Sequence, residues 1–340
     1  MQAVIKAIEY YVPERVLTNA ELAQQYPEWT ADRIEKKLGI IERHIAADHE
    51  TASDMGVKAA ERLFASGICK PGEIDYLLFC TQSPDYFLPT SACLMQDRLE
   101  IPQTAGALDF NLGCSGYIYG LSLAKGLIET GQAGNVLLIT AETYSKFMHP
   151  SDKSVRTLFG DAATATIIQR IAVQPGSSPA IGPFVLGTDG KGARNLIVEA
   201  GALRKRKTDG QIQYDEQGNP HADDFLYMNG GEIFNFALDA VPRAVHDLLA
   251  KAGLAQDTVD LFIFHQANQY MLEFLRKKCR IPAEKFFICM RHFGNTVSST
   301  IPIALQNAAQ DGTIRPGATV MLVGFGVGYS WGATLIRWKS

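Results

Sequence analysis

The sequence predicts an α/β protein made of two similar halves, each with a mixed β-sheet. Helix-like and strand-like segments alternate along all 340 residues, which is typical of layered α/β folds. The apolar segments 76–80 (YLLFC), 136–140 (VLLIT) and 261–265 (LFIFH) lack a period of two, so we expect strands that are buried on both faces. Two pairs of segments also repeat at an offset of roughly 180 to 186 residues, which fits a duplicated domain better than a solenoid.

The repeat sets the expected boundaries. Residues 58–82 and 243–267 each read as an amphipathic helix, a glycine turn and an apolar strand, and 126–142 and 307–326 each run from helix to strand. We therefore expect an N-terminal half over 1–172 and a C-terminal half over 226–340, joined by a polar linker over 173–225. Residues 204–224 are poor in apolar side chains, which indicates an exposed loop. The RKRK cluster at 204–207 fits either a solvated loop or a docking patch for an acidic partner.

Composition excludes several classes of protein. The net charge of −4 argues against a nucleic-acid partner, because that surface needs a strongly basic face. No stretch approaches the ~20 uninterrupted apolar residues of a membrane span, and the N-terminus shows no secretory signal. The six cysteines are scattered without a CxxC pair, which indicates neither a zinc site nor a disulfide framework. We expect reduced thiols and a cytoplasmic protein.

One cysteine lies where catalysis would need it. Cys114 is in the turn NLGCSG (111–116), between the strand-like ALDF (107–110) and an apolar helical segment. Unpaired N–H groups and the dipole at a helix N-terminus favour an anion, so we expect a lowered thiol pKa and a reactive thiolate. A strand, a nucleophile and a helix in this order also form the serine elbow of hydrolases. A structural thiol fits the same residues equally well.

Two polar residues and a glycine-rich loop are further candidates. His265 ends an apolar strand, where functional groups of α/β folds usually lie, although a structural histidine is an alternative. Asn295 lies in a Gly-Asn-Thr turn ahead of small residues and, taken alone, reads as a turn asparagine. Segment 323–333 (VGFGVGYSWGA) lacks the helix start and downstream acid of a dinucleotide fingerprint. Its backbone N–H groups suit an oxyanion better.

Taken in order, these segments resemble the β-ketoacyl-acyl carrier protein synthase III family, which has the thiolase-like fold. The resemblance rests on seven motifs: GIIERHIA (39–46), NLGCSGY (111–117), LFGDAATA (158–165), MNGGEIF (228–234), FHQAN (264–268), FGNTVSSTIP (293–302) and GFGVGYSWG (324–332). It implies two similar five-stranded halves in an α-β-α-β-α layered arrangement, and a homodimer.

The resemblance implies roles for the candidate residues. Cys114 would be the nucleophile that takes the acyl group of an acyl-CoA primer, with His265 and Asn295 completing a triad. A malonyl thioester, carried by acyl carrier protein or by CoA, would then lose CO2 while His265 and Asn295 donate hydrogen bonds to its oxygen. The backbone N–H groups of Cys114 and Val327 would hold the oxyanion. Loss of His265 should then spare loading but abolish condensation, and neither a metal nor a bound cofactor is implied.

The resemblance also implies binding residues, with departures from the family pattern. Expected contacts to substrate or CoA come from Arg33, Lys37, Lys153, Gly230, Phe234 and Asn268. Arg33 stands where relatives often carry a tryptophan, with Trp29 four residues upstream, and Lys37 and Lys153 stand where arginines often meet phosphates. Tyr270 stands where relatives that dock acyl carrier protein often have arginine. Phe87 and Leu88 would shape the acyl pocket.

Alternatives stay open at this stage. The same fold could move an acyl group from Cys114 to a non-malonyl acceptor, or the chain could be a non-catalytic subunit that binds acyl chains or a partner synthase. Release of CO2 from a malonyl thioester separates condensation from the first alternative, and the complete set of Cys114, His265 and Asn295 argues against the second. The sequence shows no clear glutamate base for a hydroxymethylglutaryl-type synthase. The primer and the pathway, housekeeping or specialised, are open.

Overall fold

The computed structural model describes residues 1–173 and 178–339. Its helices are α1 Asn19–Gln25, α2 Ala31–Leu38, α3 Ala52–Ala65, α4 Ser91–Arg98, α5 Gly116–Glu129, α6 Lys153–Arg156, α7 Gly230–Ala252, α8 Gln269–Lys278 and α9 Thr300–Gln310. Its strands are β1 Gln2–Tyr11, β2 Arg15–Thr18, β3 Glu42–Ile45, β4 Tyr76–Cys80, β5 Gly106–Phe110, β6 Asn135–Glu142, β7 Ala162–Ile171, β8 Ile181–Thr188, β9 Leu196–Ile197, β10 Gln213–Tyr214, β11 Pro220–His221, β12 Tyr227–Met228, β13 Leu261–Phe264, β14 Thr319–Gly326 and β15 Ser330–Arg337. Within these ranges, no helix combines the length and apolar character needed to cross a membrane.

The first half holds a five-stranded mixed sheet in the order β1-β7-β6-β4-β5. β4 pairs in parallel with β5 and β6, whereas β7 pairs antiparallel with β6 and β1. Leu77, Leu78 and Phe79 of β4 are all buried because layers cover both faces of the sheet, which explains the missing period of two. Since β4, β5 and β6 are parallel, the loops that follow them meet at one edge.

The second half repeats this arrangement with one strand fewer. Its sheet has the order β13-β14-β15-β8, and its pairing reproduces that of β4-β6-β7-β1. The expectation of five strands here is wrong for the described residues: a single parallel bridge joins Phe262 to Phe286 instead. The Gln266 side chain explains the difference, because it accepts from the Cys289 N–H at 2.7 Å and donates to the Phe287 carbonyl at 3.4 Å. It thereby occupies backbone groups that a neighbouring strand would use.

The sheets and helices stack in five layers. α5 and α9 lie between the sheets, where Leu121 and Leu305 share one core with Leu138 of the first sheet and Leu322 of the second. α3 and α4 cover the outer face of the first sheet, and α7 and α8 cover the outer face of the second. The α-β-α-β-α arrangement and the duplicated fold class are therefore confirmed.

The linker is shorter than the sequence predicts. Ile181–Thr188 forms β8 and pairs with β15 inside the second sheet, so the expected linker over 173–225 is wrong there; residues 174–177 of it lie outside the described residues. Glycine and proline are rare in strands, and because β8 contains Gly182, Pro183 and Gly187 the sequence does not predict it. The exposed part is 201–218, where Lys205 pairs with Asp223 and Asp209. The remainder of the RKRK cluster is exposed, in keeping with a solvated loop.

Candidate active site

Cys114 lies at the strand-to-helix junction that the sequence predicts. β5 ends at Phe110 and α5 begins at Gly116, and the cysteine between them is only 5% exposed. Strand β14 passes directly behind it. A Cβ at Gly326 would lie 2.7 Å from Cys114 Sγ, and a Cβ at Gly324 would lie 2.8 Å from the Cys114 carbonyl oxygen. Both positions require glycine, so β14 of the second half packs directly against Cys114 of the first half.

Burial decides the ionisation of this thiol. Loss of contact with solvent raises the pKa of Cys114 to about 12, although the backbone N–H groups of Val327 and of Cys114 itself act to lower it. The expected lowering of the pKa is therefore wrong, because the cost of an ion in a closed site outweighs the amide dipoles around it. Cys114 is therefore a neutral thiol in the closed site.

His265 supplies a neutral imidazole. It follows β13, is 2% exposed, and donates its backbone N–H to the Val323 carbonyl at 2.8 Å. Burial lowers the pKa of His265 to about 3, against the opposing effect of the Val297 carbonyl. Nδ1 lies 2.7 Å from Thr300 Oγ1, and that hydroxyl donates to the Val297 carbonyl at 3.1 Å. Since the threonine proton is used there, we assign the ring proton to Nδ1 and leave Nε2 as the acceptor.

Asn295 presents its amide NH2 group as a donor. Its backbone N–H donates to the Leu158 carbonyl at 2.9 Å and its carbonyl accepts from the Gly160 N–H at 3.1 Å, which holds the residue against the loop before β7. The side chain is 3% exposed, and its Oδ1 accepts from the Val297 N–H at 2.9 Å. With the oxygen engaged, Nδ2 is the end that can donate to a substrate.

The Val297 residue links the histidine to the asparagine. Its N–H orients Asn295, while its carbonyl holds Thr300 and through it His265. Its φ of 54° lies in the left-handed region, which is costly for a β-branched residue. The Cγ1 atoms of Val297 and Val327 lie 3.1 and 2.8 Å from where a Gly113 Cβ would be. Through these contacts the chain brings His265 and Asn295 to the loop that carries Cys114.

Glu142 is a buried acidic residue near Cys114 that the sequence analysis does not identify as a candidate. Glu142 ends β6, is fully buried, and accepts hydrogen bonds from the Gln82 N–H at 2.9 Å, the Ser83 hydroxyl at 3.2 Å and the Ser298 hydroxyl at 2.9 Å. Burial raises the pKa of Glu142 to about 8 against the effect of these bonds, and its charge raises the pKa of Cys114. Its place at the end of a strand parallel to β4 and β5 is the sequence signal that could have found it.

Glu142 also makes the stability of the fold depend on pH. Its ordinary pKa of 4.5 rises to about 8 in the folded protein, and burial raises the pKa of Asp161 to about 6. A carboxyl group with a raised pKa stabilises the fold while it is protonated, and this contribution is lost as the pH rises from about 5 to about 8. We expect the Tm of the wild type to fall across this range and that of Glu142→Gln to be higher by roughly 5 °C at pH 8. Thermal unfolding of both proteins from pH 5 to 9 measures the effect. The prediction is contradicted if Tm changes with pH by the same amount in the wild type and in Glu142→Gln.

Two of the three basic residues expected to bind CoA lie over one aromatic ring. Arg33 and Lys37 line a cavity of about 440 Å³ beside α2, with Arg33 Cζ 5.4 Å and Lys37 Nζ 4.5 Å from the centre of the Trp29 ring. Lys153 pairs with Glu28, the residue before Trp29, at 3.0 Å. The ring of Trp29 therefore lies beside Arg33, the residue that stands where relatives often carry a tryptophan. Cations around a flat ring suit a phosphorylated purine.

The other expected substrate contacts lie on α7 and α8. Gly230 begins α7, with open space where a Cβ would be. Phe234 stacks on Tyr270 at 5.8 Å and meets Phe274 edge-on at 5.6 Å. Asn268 caps α8, because its Oδ1 accepts from the Met271 N–H at 2.9 Å, which leaves its NH2 group as a donor. Contacts of Gly230, Phe234 and Asn268 with substrate stay predictions.

Phe87 and Leu88 lie on the surface of a single chain. They are 77% and 82% exposed, in the loop before α4, and therefore do not enclose an acyl pocket in one copy. β5 is the edge strand of the first sheet, and its Leu108 is 41% exposed. The role of Phe87 and Leu88 in the acyl pocket stays a prediction.

Family models match both halves of the chain. The model described as 3-Oxoacyl-[acyl-carrier-protein (ACP)] synthase III matches residues 108–190, and its C-terminal counterpart matches residues 249–338. The first range contains Cys114, and the second contains His265, Asn295 and Val327.

Similar proteins match along nearly the whole chain. The β-ketoacyl-[acyl-carrier-protein] synthase III of Caldanaerobacter subterraneus subsp. tengcongensis is 34% identical over 330 residues, which cover 97% of this chain and 96% of the relative. A crystal structure of a 3-oxoacyl-(acyl-carrier-protein) synthase III is 54% identical with a TM-score of 0.97, covering 99% of this chain and 100% of the other. The priming β-ketosynthase from the R1128 polyketide biosynthetic pathway is 26% identical with a TM-score of 0.84, covering 100% of this chain and 97% of the other.

Proposed function

This chain belongs to the 3-oxoacyl-[acyl-carrier-protein] synthase III family, and from this we propose how its residues perform the reaction. It is a condensing acyltransferase of fatty-acid synthesis, and enzymes of this family act on thioesters without a bound cofactor. One observation supports the site assignment above all others. The Val297 N–H and carbonyl together hold Asn295 and His265 beside the loop of Cys114.

In the first half-reaction, Cys114 takes the acyl group from an acyl-CoA. Burial raises the pKa of Cys114 and lowers the pKa of His265, so both groups are neutral at rest. Nε2 of His265 accepts the thiol proton while Sγ attacks the thioester carbon. The oxyanion accepts hydrogen bonds from the N–H groups of Cys114 and Val327. The bond to the CoA sulfur then breaks, and the imidazolium returns the proton to that sulfur.

In the second half-reaction, a malonyl thioester loses CO2, and the electron pair of the broken bond forms an enolate. Asn295 Nδ2 and the Nε2–H of His265 donate hydrogen bonds to the enolate oxygen. This step needs the tautomer with the ring proton on Nε2, which forms by proton exchange with solvent between the two half-reactions. Nδ1 then accepts from the Thr300 hydroxyl, which gives up its bond to the Val297 carbonyl. The enolate carbon attacks the acyl-cysteine carbonyl, the carbon–sulfur bond breaks, and the Cys114 thiolate takes a proton from solvent.

We assign the CoA moiety to the groove around Trp29, where Arg33, Lys37 and Lys153 meet phosphates and the ring stacks on adenine. Acyl carrier protein is the assigned malonyl carrier. On α8, Arg276 is engaged with Glu273, whereas Lys277 and Lys278 are exposed and can meet an acidic carrier.

We also assign a homodimer and a cytoplasmic location. Edge strand β5 and the exposed side chains of Phe87 and Leu88 form an apolar surface that a second copy would cover. Covered in this way, Phe87 and Leu88 would shape the acyl pocket. The cysteines of the described chain are all free thiols, which fits a reducing compartment.

The test is a product assay on the wild-type enzyme. Incubated with an acyl-CoA and malonyl-acyl carrier protein, it should release CO2 and CoA in equal amounts and form a β-ketoacyl thioester. Malonyl-CoA in a parallel reaction distinguishes the two carriers. Acyl transfer without release of CO2 would instead indicate a non-malonyl acceptor.

A further inference from the structure

The Glu142 carboxylate takes no part in the chemistry proposed above. Among the described residues, none of the ion pairs includes Glu142, and each of its hydrogen bonds comes from a neutral donor. A buried carboxyl group without a cation is costly to ionise. Its position at the strand edge shared with Cys114 therefore suggests a functional reason for keeping it.

Glu142 connects two loops of the active site. Gln82 and Ser83 belong to the loop that follows β4, and the Ser83 hydroxyl also accepts from the Thr143 N–H at 3.1 Å. Ser298 belongs to the turn that carries Asn295, and its hydroxyl donates to Glu142 Oε1 at 2.9 Å. The carboxyl group thus fastens Ser298, the residue after Val297, to the first sheet.

The fastened turn is strained. Val297 has a φ of 54° and is fully buried, and such a conformation persists in a β-branched residue only where the surroundings hold it. Ser298 is the next residue and is 1% exposed. Its bond to Glu142 lies one residue from the peptide whose N–H orients Asn295.

We propose that Glu142 is a positioning residue: by accepting the Ser298 hydrogen bond it fixes the Val297 peptide, and thereby Asn295, for decarboxylation. This role rests on the proposed function, and it is exerted through other residues without contact to substrate. Asn295 depends on it more than His265 does. The Asn295 oxygen is held by the Val297 N–H, whereas His265 is also held through the Val323 carbonyl and Thr300.

A Ser298→Ala variant tests the role, because it removes the donor and leaves the carboxylate in place. Cys114 acylation is measured by intact-protein mass spectrometry, and decarboxylation by CO2 release from malonyl-acyl carrier protein. We expect CO2 release to fall about 10- to 100-fold and acylation to fall less than about threefold, since misplacing a donor by ~1 Å affects only the step that uses it. The ratio of the two rates is the readout, and a general loss of stability would not move it.

Two further variants serve as controls. Ser299 is also fully buried, but its hydroxyl donates to the Thr140 carbonyl at 3.1 Å, so Ser299→Ala should lower the Tm and keep the ratio. Glu142→Gln keeps the side-chain length, accepts from the Gln82 N–H and can donate to Ser298. Its ratio should therefore stay close to that of the wild type.

An unchanged ratio in Ser298→Ala, or an equal fall in Ser299→Ala, would overturn the positioning role. A collapse of the ratio in Glu142→Gln alone would also overturn it, because the charge and not the hydrogen bond would then matter. A wild-type enzyme that released no CO2 at all would instead refute the proposed function.

Discussion

A Cys114→Ala variant loses both acyl loading and condensation, by at least about 10³-fold in our expectation. Cys114 Sγ is the atom that β14 approaches through Gly326 and that the N–H groups of Val327 and Cys114 face. Alanine leaves no atom that could form the thioester. After incubation with a panel of acyl-CoAs, intact-protein mass spectrometry should show the mass gain of one acyl group in the wild type and none in the variant.

Cys69→Ala is the matched control for this prediction. Cys69 is also a buried free thiol, and burial raises its pKa to about 11, but it packs with the outer layer around α3. The Cys69→Ala variant should therefore become acylated on Cys114 at the wild-type rate. Acylation that persists in Cys114→Ala and maps to Cys80 or another thiol would assign the nucleophile elsewhere.

The duplication could be predicted because the same local constraint acts twice. Asp75 and Asp260 each precede an apolar strand, and each carboxylate accepts backbone N–H bonds at the start of the neighbouring strand: Asp75 from Asn135 at 2.9 Å, Asp260 from Thr319 at 2.8 Å. An aspartate followed by an apolar strand involves only a few adjacent residues. The sequence therefore shows it without any knowledge of long-range packing.

Two strand predictions were wrong because distant contacts decide them. β8 is a strand despite Gly182 and Pro183, because β15 pairs with it from Thr188 to Phe184 and again at Ile181, with a register shift at the two intervening residues. The fifth strand of the second sheet is reduced to one bridge, and the Gln266 side chain bonds the Phe287 carbonyl and the Cys289 N–H in place of a neighbouring strand. Neither competition can be read from the local pattern.

The sequence indicated the position of the three candidate residues in the fold but not their ionisation. The loop positions of Cys114, His265 and Asn295 follow from strand ends and motifs, which are local. The direction of the thiol pKa depends on how completely both halves exclude water, and it came out opposite to the expectation. Glu142 escaped notice for a related reason: it ends the repeated segment 126–142, whose counterpart ends at Gly326. Only the packing shows that Glu142 accepts a hydrogen bond from Ser298, whereas Gly326 lies against Cys114.

An Asn295→Ala variant should separate the two half-reactions. Asn295 Nδ2 is assigned to the enolate oxygen, and removing one such donor costs about 10²- to 10³-fold in rate. Loading of Cys114 uses His265 and backbone N–H groups, so acylation should stay within about threefold of the wild type. Acylation by mass spectrometry and CO2 release are compared in the same preparation. A parallel fall of both rates would contradict the assignment.

A His265→Ala variant should slow both half-reactions, in contrast to Asn295→Ala. If the helix end alone ionised the thiol, loading would survive without the histidine, which is what the sequence and the family resemblance predict. Because burial raises the pKa of Cys114 to about 12, we expect acylation to fall about 10²- to 10⁴-fold without the general base. His292→Ala is the control, since His292 is exposed and contacts Glu42 at 2.8 Å. Normal loading in His265→Ala would show that the thiolate forms without Nε2, and the acylation step would then need no base.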